Sequence, residues 1–173
     1  LRYDRQKGEK QHVVTVSGLT GWDFKKSDDA SYENVFKLAL DLKVPHKDIQ
    51  ELFRRMVFNV VFANIDDHLK NHSFIYNRES DSWNLAPAYD LTYPLDINFN
   101  YSHVSRALSI NNKRSTIVLE DVMSIAENFA IKNPKGIIAE VQSASSFWDQ
   151  SAMELELPER VRDGVRKEFT LLL

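Results

Sequence analysis

The chain contains no cysteine, and this absence limits both its chemistry and its surroundings. Disulfide bridges and thiolate zinc sites are excluded, and a reducing cytoplasm is the expected location. No apolar run approaches the roughly 18 residues that a membrane-spanning helix requires, so we expect no membrane partner. The chain begins at Leu1 rather than at methionine, which we interpret as the start of a fragment or of a processed chain.

The residues that are present suit one domain with its own core. Hydrophobic residues make up 43% of the 173 residues and charged residues 27%, which is the balance of an ordinary globular protein. The net charge is −3 and the isoelectric point is about 6.0, whereas a broad nucleic-acid surface usually needs a clear basic excess. Direct binding of nucleic acid is therefore not expected.

Apolar spacing predicts a mainly helical chain. Ser31 is the expected N-cap of a helix whose Tyr32, Val35, Phe36, Ala39 and Leu40 share one face. The longest predicted helix runs over 45–63. Its core stripe follows the alternating three- and four-residue spacing of a buried helix face, with Ile49, Leu52, Phe53, Met56, Val57, Val60 and Val61. Further helices are predicted over 120–131, 134–148 and 158–172.

One small hairpin is the expected β-structure. The β-prone runs Ser73–Tyr76 and Trp83–Ala86 flank a polar turn, which is the pattern of two antiparallel strands. Residues 12–16 suit a strand, while residues 12–19 could equally start a short helix, and residues 91–115 look irregular. The predicted fold class is mainly α within the α+β class: a helical lobe with one hairpin beside a polar loop.

The polar loop that follows the longest helix carries the candidate chemistry. Asp66 and Asn71 lie five positions apart, and Asp90 follows the predicted hairpin. This order is typical of phosphoryl-transfer sites, in which one carboxylate lies near the attacking hydroxyl while an amide and a second carboxylate hold magnesium. Asp and Asn also cap turns in ordinary loops, so Asp66 and Asn71 alone would fit a structural role as well. Asp90, in the correct order, favours the phosphoryl-transfer interpretation.

Other side chains near this loop allow a second interpretation. Lys70 could contact a phosphate or lie exposed in solvent. His68 and His72 are four positions apart and would share a metal ion if the loop were helical, which would suit a metal-dependent hydrolase. That alternative lacks a third ligand at an obvious spacing. A cation site at Asp96, Asn98 and Asn100 is conceivable, but these residues form no convincing ligand series.

The loop and its surroundings resemble a known family, the HipA-like serine/threonine kinases, which are the toxins of bacterial type II toxin–antitoxin systems. The resemblance lies in the C-terminal domain and covers most of the chain. Its most specific part is Asp66-Asp67-His68 with Asn71, followed by Tyr89-Asp90. The stretches that carry the resemblance are 2–5, 58–72, 85–91 and 108–114.

The resemblance implies a role for each site residue. Asp66 would orient the substrate hydroxyl or accept its proton, Asn71 and Asp90 would ligate Mg²⁺, and His68 and Lys70 would contact phosphate. The cofactors would be ATP and Mg²⁺, and the substrate a serine or threonine on a protein. An antitoxin would be the partner, so that any contact with DNA is indirect.

The chain also departs from the kinase pattern. Asn64-Ile65 precede the catalytic aspartate where protein kinases have His-Arg, and Leu91-Thr92 follow Asp90 where they have Phe-Gly. No glycine-rich phosphate loop or strand lysine is recognisable, and the nucleotide hinge would precede Leu1. We therefore interpret residues 1–173 as the C-terminal lobe without its N-terminal, nucleotide-binding lobe. Alone, this lobe should bind ATP weakly and transfer phosphate poorly or not at all. A non-catalytic docking or regulatory module is the alternative.

Overall fold

Helices make up most of the regular structure, and the described strands come in two groups along the chain. The computed structural model describes residues 4–6, 9–23, 29–94 and 105–172. Within these ranges the elements, in chain order, are β1 (Arg5–Gln6), β2 (Glu9–Lys10), β3 (His12–Thr15), α1 (Val16–Thr20), α2 (Tyr32–Asp41), α3 (His46–Val61), β4 (Ser73–Asn77), β5 (Ser82–Leu85), α4 (Leu119–Asn128), α5 (Pro134–Ser143), α6 (Ser146–Glu154) and α7 (Glu159–Lys167). The α+β class is confirmed.

Helix α3 is the central element and agrees with its prediction. Pro45 occupies its N-cap position, and all seven predicted stripe residues are buried. The helix packs against α2, α5 and β5, so its stripe is shared by several neighbours. It stops where Ala63 adopts a left-handed conformation with φ 53°, which turns the chain out of the helix and into the polar loop.

Helix α2 begins as predicted but buries a narrower face. The Ser31 hydroxyl accepts a hydrogen bond from the backbone N–H of Asn34 at 3.1 Å, which confirms the cap. Tyr32 and Phe36 are fully buried, whereas Leu40 is 50% exposed. The placement of Leu40 on the core face was therefore wrong, because it lies at the edge of the buried stripe of α2.

The predicted hairpin is part of a three-stranded antiparallel sheet with the order β3-β4-β5. Ile75 on the central strand pairs with Val13 on one side and with Asn84 on the other. Residues 12–19, for which the sequence allowed either a strand or a short helix, form a strand followed by a short helix. The strand ends at Thr15, whose hydroxyl accepts from Gly18 N at 3.0 Å, and the short helix α1 follows. β1 and β2 form a separate two-stranded ladder.

The C-terminal helices have other bounds than predicted, and α6 extends beyond residue 148 to Glu154. The stretch 134–148 is two helices, α5 and α6, because serines at the break bind main-chain carbonyls: Ser143 Oγ donates to Glu140 O and Ser146 Oγ to Ser143 O, each at 2.7 Å. The last predicted helix, 158–172, ends with α7. The chain then runs back to α3, where Thr170 N donates to Val61 O at 2.9 Å.

Some sequence predictions fall outside the described ranges. These are Arg2 and Tyr3 of the first stretch that carries the family resemblance, and the weak cation candidates Asp96, Asn98 and Asn100. Among the helices that are described, none combines the length and the apolar character needed to cross a bilayer.

Candidate active site

The polar loop is held at both ends and in its middle by main-chain hydrogen bonds. It leaves α3 at Phe62 and reaches β4 through a single 3₁₀ turn over Leu69–Asn71. Ala107 N donates to Ile65 O, and Val16 N donates to His72 O, each at 2.8 Å. Leu69, between these two hydrogen bonds, is fully buried and holds the loop backbone against the core.

Asp66 is the exposed carboxylate of this loop. Its side chain is 60% exposed, and its Oδ1 lies 3.9 Å from His68 Nε2. The Asn71 side chain donates its Nδ2 to the Asp66 carbonyl at 2.8 Å. The Lys70 side chain is exposed, and its carbonyl accepts from the Tyr89 hydroxyl. Asp66, His68, Lys70 and Asn71 therefore belong to one loop surface, with the Asp66 carboxylate open to an incoming group.

Asn71 and Asp90 meet at one small cavity. Asn71 comes from the 3₁₀ turn and Asp90 from the segment after β5, and both line the cavity together with Asn64 and Tyr89. Asp90 has a positive φ of 54°, a conformation that is uncommon for a residue with a side chain. The structure thus brings Asn71 and Asp90 to one cavity. Asp66 does not line this cavity and is tied to Asn71 only through its main-chain carbonyl.

Asp67, the neighbour of Asp66, has the opposite environment. It is fully buried and forms an ion pair with Arg106, whose Nη2 donates to Asp67 Oδ2 at 2.7 Å. The Tyr32 hydroxyl donates to the same oxygen at 2.8 Å, and Leu108 N donates to Oδ1 at 3.2 Å. Burial is the largest effect and lowers the pKa of Arg106, but the Asp67 charge, the hydrogen bonds to Asp67 and the interaction with Tyr32 together raise this pKa above its usual value. Arg106 therefore keeps its charge beside the Asp67 carboxylate.

Two buried asparagines extend this cluster toward Asp90. Asn59 Nδ2 donates to the Tyr32 hydroxyl at 2.9 Å, and Asn59 Oδ1 accepts from Asn64 Nδ2 at 3.0 Å. This confirms that Asn59, which the sequence places inside a buried helix, has partners for its amide. Asn64 Nδ2 also donates to the Asp90 carbonyl at 3.3 Å.

The two histidines of the metal-hydrolase alternative have different surroundings. His68 is partly exposed, while His72 is 3% exposed and packs edge-on against Tyr32. The chain between them is a 3₁₀ turn rather than the α-helix on which the shared metal site depended. In the described ranges, no three His, Cys, Asp or Glu side chains cluster as metal ligands would. The geometry therefore gives the hydrolase interpretation no support.

His72 leads to a prediction about acid stability. Neither of its ring nitrogens makes a hydrogen bond of normal geometry with a described residue, and burial lowers its pKa from 6.5 to about 4. Between these values the unfolded chain binds the proton and the folded chain does not, so the free energy of unfolding falls as pH falls from 6.5 toward 4. The expected loss is about 3 kcal/mol in metal-free buffer. Urea unfolding at a series of pH values measures it.

The matched control for this effect is a variant that keeps a ring at the same place. His72→Phe should remove the part of the pH dependence that lies between pH 6.5 and 4, while His46→Phe, at an exposed position, should retain it. An identical pH profile for wild type and His72→Phe would contradict the prediction.

A family comparison decides where the chain belongs. The model of the HipA-like C-terminal domain matches residues 1–148, which include the whole candidate site. The chain belongs to this family. Helix α7 and most of α6 follow the matched region of this HipA-like domain.

Individual relatives agree with this assignment. A Haemophilus influenzae protein named as a putative kinase is 27% identical, over 99% of this chain and 58% of its own length. A Sinorhizobium fredii protein, also named as a putative kinase, is 24% identical over 95% of this chain and 41% of its own length. The chain thus spans about half the length of these two curated relatives.

A solved structure shares the fold. It is the Shewanella oneidensis toxin–antitoxin complex of HipA, HipB and operator DNA. The TM-score is 0.67 at 17% sequence identity, and the match covers 96% of this chain and 46% of the other. At this identity the likeness concerns the fold of the HipA-like domain.

Most of the buried cluster was not predicted from the sequence. Asp67 and Asn64 were noted only as members of the loop, and Tyr32 only as a core residue. Arg106, which is 5% exposed, was not singled out at all. No local signal distinguishes Asp67 from Asp66, because the burial of Asp67 depends on Arg106, which lies far along the chain.

Proposed function

We propose that this HipA-like domain is the catalytic lobe of a kinase that transfers the γ-phosphoryl group of ATP to a serine or threonine of a protein. Membership in the family and relatives named as kinases support the reaction class. The observation that carries the proposal is the meeting of Asn71 and Asp90 at one cavity, beside a loop that exposes Asp66.

The donor set at this cavity fits Mg²⁺. Hard divalent cations prefer oxygen ligands, and Mg²⁺ sites usually combine one or two carboxylates with phosphate oxygens and water. Asp90 supplies an exposed carboxylate. Asn71 uses its Nδ2 to bind the Asp66 carbonyl, so its Oδ1 is the amide atom that remains for a cation. When bound, Mg²⁺ would neutralise the charge of the phosphates during transfer.

Asp66 is the residue proposed to handle the substrate hydroxyl. In the transfer, the serine or threonine oxygen forms a bond to the γ-phosphorus while the bond from phosphorus to the β,γ-bridging oxygen breaks, and ADP leaves. The Asp66 carboxylate would orient the hydroxyl and accept its proton. His68, 3.9 Å from Asp66, and the exposed Lys70 would contact phosphate oxygens on the same loop surface.

The activity of a whole kinase needs more than this lobe. Nucleotide binding in kinases uses contacts from two lobes, so we propose that residues 1–173 form one lobe and that a second lobe supplies the remaining ATP contacts. By analogy with the solved HipA complex, the protein partner would be an antitoxin, with DNA contacted only through it. An enzyme that uses ATP in this way would act in the cytoplasm.

Replacing Asp90 tests this proposal. The domain is joined to, or mixed with, a nucleotide-binding lobe, and the transfer of labelled phosphate to protein is measured at a series of Mg²⁺ concentrations. Asp90→Asn should lower the rate by about 100-fold or more, because a carboxylate that ligates the metal is lost. Removal of Mg²⁺ with EDTA should abolish transfer in wild type.

Asp81→Asn provides the matched control. Asp81 is also an exposed aspartate with a positive φ, 46°, but it lies in the turn between β4 and β5. Its variant should keep wild-type activity. If wild type and Asp90→Asn are equally inactive with a competent nucleotide lobe, the domain is a docking or regulatory module instead. Tightly bound zinc or manganese in elemental analysis, without nucleotide, would favour the hydrolase alternative.

A further inference from the structure

We propose that Asn64 is a positioning residue that holds Asp90 in place, and that a buried chain of hydrogen bonds ending at Asp67 sets the orientation of Asn64. The catalytic part of this inference rests on the proposed function, because Asp90 is the proposed metal ligand. Its structural part stands on the contacts alone. Asn64 is 2% exposed, and its Nδ2 bridges Asn59 Oδ1 and the Asp90 carbonyl at 3.0 and 3.3 Å.

The direction of donation along the chain follows from chemistry. The Asp67 carboxylate can only accept, so the Tyr32 hydroxyl donates to it and must then accept from Asn59 Nδ2. That contact turns Asn59 Oδ1 toward Asn64, which therefore presents its own Nδ2. The charge on Asp67 thus decides which end of each amide faces its neighbour.

The opposite orientation of Asn64 would leave acceptors facing acceptors. Asn59 Oδ1 and the Asp90 carbonyl both lack a proton to donate, so a flipped Asn64 amide would lose both hydrogen bonds. Asn64 Oδ1 is buried without a hydrogen-bond partner among the described residues, so the orientation follows from the two bonds that Nδ2 donates. The donors alone hold the side chain as it is, and Arg106 Nη2 adds a contact to the Asn64 carbonyl at 3.5 Å.

Asp90 needs such an anchor because its backbone conformation is uncommon. A non-glycine residue in the left-handed region carries a cost that surrounding contacts must offset. The Asn64 bond reaches the Asp90 main chain itself, next to the carboxylate that we propose for the metal. Residues that orient metal ligands typically change metal affinity or activity by about 10- to 100-fold when they are replaced.

Hydrogen exchange on the metal-free 173-residue chain tests the structural part without any activity. In Asn64→Ala we expect amide exchange in peptides covering 88–93 to accelerate about fivefold, the effect of losing one net hydrogen bond. Asn84→Ala is the matched control, because Asn84 Nδ2 also makes a 3.3 Å bond, to Asp48 Oδ2, away from the loop. Its exchange over 88–93 should equal that of wild type. Equal exchange in wild type and Asn64→Ala would overturn the inference.

A second measurement tests the catalytic part. With a nucleotide-binding lobe present, Asn64→Ala should raise the Mg²⁺ concentration for half-maximal transfer by about 10- to 100-fold. Asn64→Asp, which keeps the size of the side chain but lacks the donor, should do the same if it folds. An unchanged Mg²⁺ dependence in Asn64→Ala, or exchange that accelerates equally throughout the chain, would overturn the positioning role. If Asp90→Asn is fully active, the proposed function fails. The exchange measurement still tests the contact between Asn64 and Asp90 independently.

Discussion

Asp67→Asn is expected to lower the free energy of unfolding by about 3–5 kcal/mol. The substitution leaves the Arg106 guanidinium, which is 5% exposed, without its counter-charge in a buried site. Removal of one member of a buried ion pair is far more destabilising than the pair is stabilising, because the remaining charge can neither return to water nor find a new partner. Urea unfolding, followed by circular dichroism, measures the loss.

Two variants make this expectation specific. Asp66→Asn, one position earlier but 60% exposed, should change the free energy of unfolding by less than about 0.5 kcal/mol. The double variant Asp67→Asn with Arg106→Met should recover part of the loss, since the unpaired charge is gone and the introduced amide can still bind the Tyr32 hydroxyl and Leu108 N. A stability of Asp67→Asn within about 1 kcal/mol of wild type would contradict the buried pair.

Asp66→Asn should instead lower phosphate transfer by about 10²- to 10⁴-fold, the usual contribution of a positioned proton acceptor. An amide can still hydrogen-bond the substrate hydroxyl but cannot take its proton, so the rate should fall more than substrate binding does. The assay uses the domain together with a nucleotide-binding lobe, with turnover and the Michaelis constant measured separately.

The control for this second expectation is Asp41→Asn, an exposed aspartate at the end of α2. It should have wild-type kinetics. Transfer by Asp66→Asn at the wild-type rate would show that Asp66 does not act on the hydroxyl. The two adjacent positions should therefore have different effects: Asp66→Asn lowers the rate of transfer, and Asp67→Asn lowers the free energy of unfolding.

Local spacing was enough to predict the helices that carry the site. The buried stripe of α3 and the Ser31 cap follow from residues a few positions apart, and both agree with the structure. The break between α5 and α6 was not predicted, because the apolar spacing runs on through it. Only the serine side chains that bind main-chain carbonyls mark the end of the helix.

Pairing between segments that are far apart in the chain was not predicted from the sequence. Strand β3 joins the hairpin although a long stretch of chain, including α2 and α3, separates it from β4, and nothing local specifies that neighbour. The same limit applies to the site. Asp66 and Asp67 are identical in the sequence, and their difference in burial depends on Arg106, which is far along the chain.

The buried cluster has a consequence for how the domain folds. Tyr32, Asn59, Asp67 and Arg106 come from α2, α3, the polar loop and the segment before α4, so the cluster assembles only when all four segments have met. Bringing each pair of segments together costs loop-closure entropy, and this cost is offset only once the last contact forms. The loop should therefore gain its final shape late, and it should open only together with the domain as one cooperative unit.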